Sequence, residues 1–248
     1  MPADKSWQNA VATISPYIVK IYTPGGSGTG FLIFQAANSS ICGVATAAHV
    51  IDHAHEWGQP IRLRHFESSA TTLLPPEARA VYIDGAADTA VIIFNNEPGS
   101  GAMPFPKEEL FLWLEGAHLR VGNEVGWVGF PAVARDNLCF FSGRVSCYQK
   151  DFKAYLIDGV AINGVSGGPT FYTHAKDDPD DDLDEDFLGI IGIISAYIPN
   201  RSTGIILPGV AEVKDVSKLH EWAKQFRTLD EAKDAEPAPS ERAGETQA

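Results

Sequence analysis

Apolar and polar residues alternate along this chain in short blocks. Runs of four to ten residues rich in Val, Ile, Phe and Tyr occur at Tyr17–Tyr22, Gly30–Phe34, Ile41–Thr46, Ala80–Ile83, Thr89–Phe94, Glu124–Gly129, Leu138–Phe141, Val145–Tyr148 and Phe187–Ala196. Gly, Pro, Asn or Asp separates them, and no helical period intervenes, so the pattern predicts an all-β barrel or sandwich. Leu138–Phe141 and Val145–Tyr148 flank Ser142-Gly143-Arg144, which predicts a tight hairpin. Near the end the period changes. Val213, Val216, Leu219, Trp222 and Phe226 recur three or four residues apart, predicting a helix whose apolar stripe packs on the β core. After Arg227 no cluster of large apolar residues follows, and 228–248 is expected to be a disordered acidic tail.

Composition supports a folded protein: 44% of the 248 residues are hydrophobic and 10% aromatic. The net charge of -13 changes meaning once it is located. Segment 177–186 carries eight acidic residues and no basic one, and the tail has six acidic against two basic. Together they account for -12, leaving the remainder near neutral with no basic face for nucleic acid. The first twenty residues lack a basic stretch followed by an apolar core, so no secretory signal is expected. No run is long and apolar enough to suggest membrane insertion. Three cysteines, Cys42, Cys139 and Cys147, are too few for a disulfide scaffold, and the expectation is a cytoplasmic protein with free thiols.

Three local settings carry candidate chemistry. Gly164-Val165-Ser166-Gly167-Gly168-Pro169 flanks a serine with glycines, which permit a tight turn and an exposed hydroxyl. The N–H groups of Gly164 and Ser166 could then aim at one developing oxyanion. Val44-Ala45-Thr46-Ala47-Ala48-His49 is an apolar strand ending in small residues and an imidazole, the base such a serine needs. Asp88 stands directly before the strand-like Thr89–Phe94, where a carboxylate could orient that imidazole. Taken singly, each has a plainer explanation: a glycine-rich turn, a structural histidine, a strand-start aspartate. Their order, His then Asp then Ser, and their settings raise the functional explanation above the plain one.

The whole resembles the trypsin-like (chymotrypsin-fold) serine peptidases, especially the bacterial HtrA/DegP-like catalytic domains. Gly26-Ser27-Gly28-Thr29-Gly30-Phe31-Leu32-Ile33 resembles the family's early strand, and Gly129-Phe130-Pro131 with Phe141-Ser142-Gly143-Arg144-Val145-Ser146 its middle segment. Gly189–Ser195 resembles the strand lining the substrate groove. The resemblance implies two antiparallel six-stranded barrels with a C-terminal helix, in one peptidase domain over 1–227 whose halves meet near 100–120. It implies His49, Asp88 and Ser166 as a triad, with Gly164 and Ser166 forming the oxyanion hole. Val160, Ser195, Ala196 and Tyr197 would line the substrate pocket, Val160 at its floor and Tyr197 narrowing its entrance. The expected activity is endopeptidase hydrolysis of protein or peptide substrates through an acyl-enzyme, without metal or cofactor.

The departures from that family are specific. Val165 stands where cleavage-activated members carry an aspartate, so activation by a new N-terminal amine is not expected. Val50 replaces the cysteine of the frequent disulfide beside the histidine. The residues after the expected helix are few, so no PDZ-like domain is expected in this sequence and the HtrA resemblance is taken for the catalytic domain only. These departures keep two alternatives open: a latent protease-fold sensor that a protein partner activates, and an acyl hydrolase using the same triad. His53 and His55 beyond His49 are expected as exposed loop residues rather than metal ligands, and 177–186 as a solvated insertion rather than a calcium loop.

Overall fold

The computed structural model describes residues 3–37, 39–99, 101–134, 136–174, 187–199 and 206–235. The acidic run 177–186 therefore lies outside the described residues. Strands β1 (Ile18–Thr23), β2 (Gly26–Gln35), β3 (Ile41–Thr46), β4 (Ile61–His65), β5 (Thr71–Leu74), β6 (Arg79–Asp84) and β7 (Thr89–Asn95) build the first lobe. They form one sheet in the order β5-β4-β1-β2-β3-β7-β6. The second lobe comprises β8 (Glu124–Gly129), β9 (Cys139–Gln149), β10 (Ala154–Asp158), β11 (Pro169–His174), β12 (Phe187–Pro199) and β13 (Ile206–Asp215). These close into a barrel in the order β10-β13-β12-β11-β8-β9.

The all-β expectation holds, with one correction. The second lobe is a closed six-stranded barrel, whereas the first is a seven-stranded sheet whose edges β5 and β6 do not pair. Pro75 and Pro76 lie between those edges and offer no N–H to a ladder. The Arg79 guanidinium covers the seam instead, donating to the carbonyls of Leu74 and Gln59.

Two other expectations give way to tertiary pairing. Cys139–Gln149 is one continuous strand, not a hairpin at Ser142-Gly143-Arg144. It pairs with β8 along one edge and β10 along the other. Gly143 is there for close approach, since a Cβ would fall 2.0 Å from the carbonyl oxygen of Asp158. Cys139 and Cys147 accordingly lie eight residues apart on one strand, and Cys42 is buried; all three are free thiols. Val213, placed in the helix by its spacing, belongs to β13, and helix α3 begins at Ser217, whose N–H donates to Asp215 at 2.9 Å. That helix continues to Ala235, into the segment expected to be tail.

Two helices were not anticipated: α1 (Ala3–Ile14) and α2 (Ala48–Glu56). The core joining the lobes combines Phe31, Ala45 and Val91 with Val128, Phe171 and Ile193, and is capped by Ile14 of α1 and Leu219, Trp222 and Phe226 of α3. Phe226 packs on Phe34 and Tyr82, with ring centroids 5.5 and 5.2 Å apart. Phe226→Ala removes that buried ring, so a loss of about 3–5 kcal/mol in unfolding free energy is expected. A urea titration with an unchanged midpoint would show that α3 contributes nothing to the fold.

Candidate active site

The site lies where α2, the turn before β7 and the loop between β10 and β11 converge. Ala47 precedes α2 without a side-chain cap, so the first-turn N–H groups need an outside acceptor. Asp88 supplies it. Its carbonyl accepts from Ala48 N at 3.1 Å, and its carboxylate Oδ1 accepts from His49 N at 3.0 Å. Asp88 adopts a left-handed backbone (φ 42°), which a short polar side chain tolerates and which turns the carboxylate toward the helix start. The same carboxylate meets the imidazole of His49, with Nδ1 2.9 Å from Oδ2 and 3.1 Å from Oδ1. Ser195, 2% exposed on β12, donates its hydroxyl to Oδ2 of Asp88.

These contacts set the charges. The hydrogen bond to Asp88 holds His49 above the ordinary histidine pKa, with the charges of Asp88 and Asp52 adding and burial opposing. Burial pushes Asp88 up, but His49 and the Ser195 hydroxyl outweigh it and keep the carboxyl below its usual value. Asp88 is thus ionised, and Nδ1 of His49 is the donor to it. Nε2 makes no hydrogen bond among the described residues, and the His49 side chain is 45% exposed.

Ser166 occupies a pair of tight turns. Val165 N donates to Ile162 O and Gly168 N to Val165 O, both at 3.0 Å, with Gly164 at φ +94° and Gly167 at φ +86°. Thr29 N of β2 donates to Ser166 O at 2.8 Å, and Gly167 N donates to Ile194 O at 2.8 Å. The serine is therefore held between the lobes. A Cβ on Gly167 would fall 2.2 Å from Thr46 Oγ1 and 3.1 Å from Ala47 N, so the absence of a side chain lets the serine loop reach the chain leading to His49. Gly28 works likewise: a Cβ there would lie 2.6 Å from Val50 and 3.1 Å from Ser166 O. Gly28 and Val50 therefore pack directly against each other. Val165 is fully buried, and Cγ1 would sit 2.9 Å from a Cβ on Gly129. Among the described residues no hydrogen bond joins Ser166 Oγ to His49, and the N–H groups of Gly164 and Ser166 donate to no acceptor.

The pocket residues distribute differently. Val160 is 49% exposed, not buried as a pocket floor is expected to be. The buried side chain under this segment is Trp127, which would touch a Cβ on Gly159 at 2.3 Å and one on Gly143 at 3.3 Å. Periodicity could not have revealed this, because Trp127 reads simply as a strand residue. Ser195 faces Asp88, not the pocket interior. Ala196 and Tyr197 continue β12 opposite Glu212 and Ala211, and their side chains lie outside the described residues. His53 and His55 are exposed on α2 and not on a loop, and His53 sits 6.0 Å from the Trp57 ring.

A closed barrel set against a second β lobe, with a histidine–aspartate pair on one and a glycine-flanked serine on the other, has the chymotrypsin-like architecture. The profile of the trypsin-like peptidase domain matches residues 28–176, and the chain belongs to that family of peptidase hydrolases. No curated protein matches the sequence significantly. Among solved structures the fold is similar to that of Deg5, at a TM-score of 0.59 and 17% identity over 89% of this chain and 93% of that one. It is similar also to the inactive form of a serine-to-alanine mutant of Rv3671c from M. tuberculosis H37Rv, at 0.55 and 18% over 92% of both chains.

Proposed function

We propose that the protein is a serine endopeptidase in which His49, Asp88 and Ser166 act as a triad. The observation that carries this is the bonding of His49 Nδ1 to a half-buried, ionised Asp88, which leaves Nε2 to serve as the base for Ser166. Nε2 takes the Ser166 proton as Oγ attacks the peptide carbonyl, and the N–H groups of Gly164 and Ser166 receive the oxyanion. His49 returns the proton to the leaving amine, and water then hydrolyses the acyl-enzyme by the same steps reversed. Nothing in this sequence of steps calls for a metal or cofactor.

The test has two arms. A fluorophosphonate probe should label Ser166 covalently, and mass spectrometry of a digested peptide library should show defined cuts. Labelling without cleavage of any peptide, but with hydrolysis of simple esters, would replace the endopeptidase with an acyl hydrolase. The unformed Ser166–His49 hydrogen bond favours a second reading, a latent enzyme that a protein partner brings into register. Absence of labelling until a partner is added is its signature.

Substrate choice follows from the pocket. Neither the Trp127 ring, which packs beneath Gly159, nor Val160 offers a counter-charge. Cleavage is expected after Ala, Val, Thr or Leu and weakly after Lys, Arg or Asp. A profile dominated by Lys or Arg before the cut would overturn this and direct attention to Asp158. The rate should rise with pH, because neutral His49 is the active form. Since Asp88 raises that imidazole's pKa, the midpoint is expected above the ordinary histidine value of about 6.5. A pH profile flat from 5 to 9 on the probe-labelling rate would remove His49 from the mechanism.

A further inference from the structure

A cationic cleft lies where β1 and β4 meet the segment after β8, and has no part in the chemistry above. Lys20 and Tyr22 project from β1, and β1 pairs with β4 so that Lys20 opposes Arg64 and Tyr22 opposes Arg62. The Arg62 guanidinium lies over the Tyr22 ring at 4.3 Å. Lys20, with only 8% of its side chain exposed, holds its ammonium between the rings of Tyr22 (4.9 Å) and Phe130 (5.7 Å). Three donors converge on one oxygen, Oδ1 of Asp136: Tyr22 OH at 2.9 Å, Lys20 Nζ at 3.1 Å and Arg64 Nη1 at 3.3 Å. Lys20, Arg64, Phe66, Phe130 and Asp136 line the cleft. Two cations and a phenol thus face a single carboxylate, in a chain whose overall charge is -13. Asp136 shows which ligand chemistry the donors suit.

The cleft shares a wall with the proposed oxyanion turn. Phe130 N donates to Thr29 Oγ1 at 3.0 Å, Thr29 Oγ1 donates to Gly164 O at 2.8 Å, and Ala132 N donates to Asn163 O at 2.7 Å. Ser166 is bracketed by β12 through Gly167 N–Ile194 O and by β2 through Thr29 N–Ser166 O. On the peptidase reading a substrate takes its N-terminal half along β12, and its leaving-group half would then lie on the β2 side of Ser166, toward Gly28 and Phe130. We propose that the Lys20–Arg64 cleft binds an acidic side chain of the substrate on the leaving-group side of the scissile bond. The proposal rests on the peptidase reading for its direction. Its physical basis is a charge-assisted contact to a fork-shaped donor, backed by an ammonium already stripped of most of its water.

The test measures binding and turnover separately. Labelled peptides sharing one cut site carry Asp, Asn or Lys at each of the first five positions after the cut, and anisotropy gives Kd for the full-length Ser166→Ala protein. At one position Asp should bind about tenfold tighter than Asn, with Lys weakest, and the ratio should shrink as salt rises. Arg64→Gln in the same background should bring the ratio near one without changing Kd for the Asn peptides. Asp136→Asn, which removes the resident competitor, should enlarge it. Equal binding of Asp and Asn at all five positions would overturn the cleft, as would a preference that survives Arg64→Gln. So would an Asp136→Asn variant that weakens every peptide alike, since Asp136 would then be only a staple for its segment. The wild-type protein is assayed on the same peptides: cleavage without acid preference sinks the cleft alone. Acid preference in binding with neither cleavage nor probe labelling, with or without a partner, sinks the peptidase reading and leaves the cleft standing.

Discussion

Replacing Ser166 with alanine is expected to lower peptide hydrolysis by about 10⁴- to 10⁶-fold while leaving the melting temperature within a degree or two of wild type. The two halves of that expectation have separate causes. The Oγ makes no hydrogen bond to His49 in the structure, and the loop is held by main-chain contacts, Thr29 N to Ser166 O and Gly167 N to Ile194 O, which alanine retains. The proposed chemistry, by contrast, loses its nucleophile. Thermal melting and turnover of the same purified sample decide the matter, and wild-type-like turnover by the variant would remove Ser166 from the centre of the mechanism.

Asp88→Asn should cost about 10⁴-fold in turnover with the imidazole still in place. The carboxylate accepts from His49 Nδ1, His49 N and Ser195 Oγ together. An amide presents one oxygen and one NH₂ to the same donors, so the imidazole is driven toward the tautomer with its proton on Nε2. The pH dependence should move as well. With the hydrogen bond and charge of Asp88 gone, burial acts on His49 against little but Asp52, so the midpoint should fall. A merely structural Asp88 would destabilise α2 without moving that midpoint. Ser195→Ala removes one donor from the three and leaves the tautomer intact, so a loss of only about 10- to 100-fold is expected. Equal losses in the two variants would assign Ser195 a larger part than orientation of Asp88.

The glycines of this chain explain why the candidate residues are legible in the sequence. Gly28 and Gly167 occupy places where a side chain would strike Val50, Thr46 or the main chain of Thr29. Such constraints are local to short motifs, and they place Ser166 and the chain before His49 in recognisable settings. The hairpin at Gly143 failed for a related reason. A glycine between two apolar runs signals either a turn or a close approach inside a strand, and only the neighbouring Asp158 carbonyl decides which. Val213 failed because a residue at the strand–helix junction satisfies both periods, and pairing of β13 with β10 and β12 settles it.

What the sequence by itself determined is the fold class, the order His49, Asp88, Ser166, and the absence of an aspartate at Val165. Each depends on residue type and short-range spacing, which the chain carries without reference to distant neighbours. What only the tertiary structure decided is how distant segments complete one another. Asp88 caps a helix 39 residues earlier in the chain, and Ser195 reaches that same carboxylate from the second lobe. Trp127 lies under Gly159, and Asp136 gathers Lys20, Tyr22 and Arg64 across more than seventy residues. Contacts of this kind depend on side-chain direction and on which strands become neighbours. Closure of the second barrel and packing of the lobes set both, and no local period encodes either.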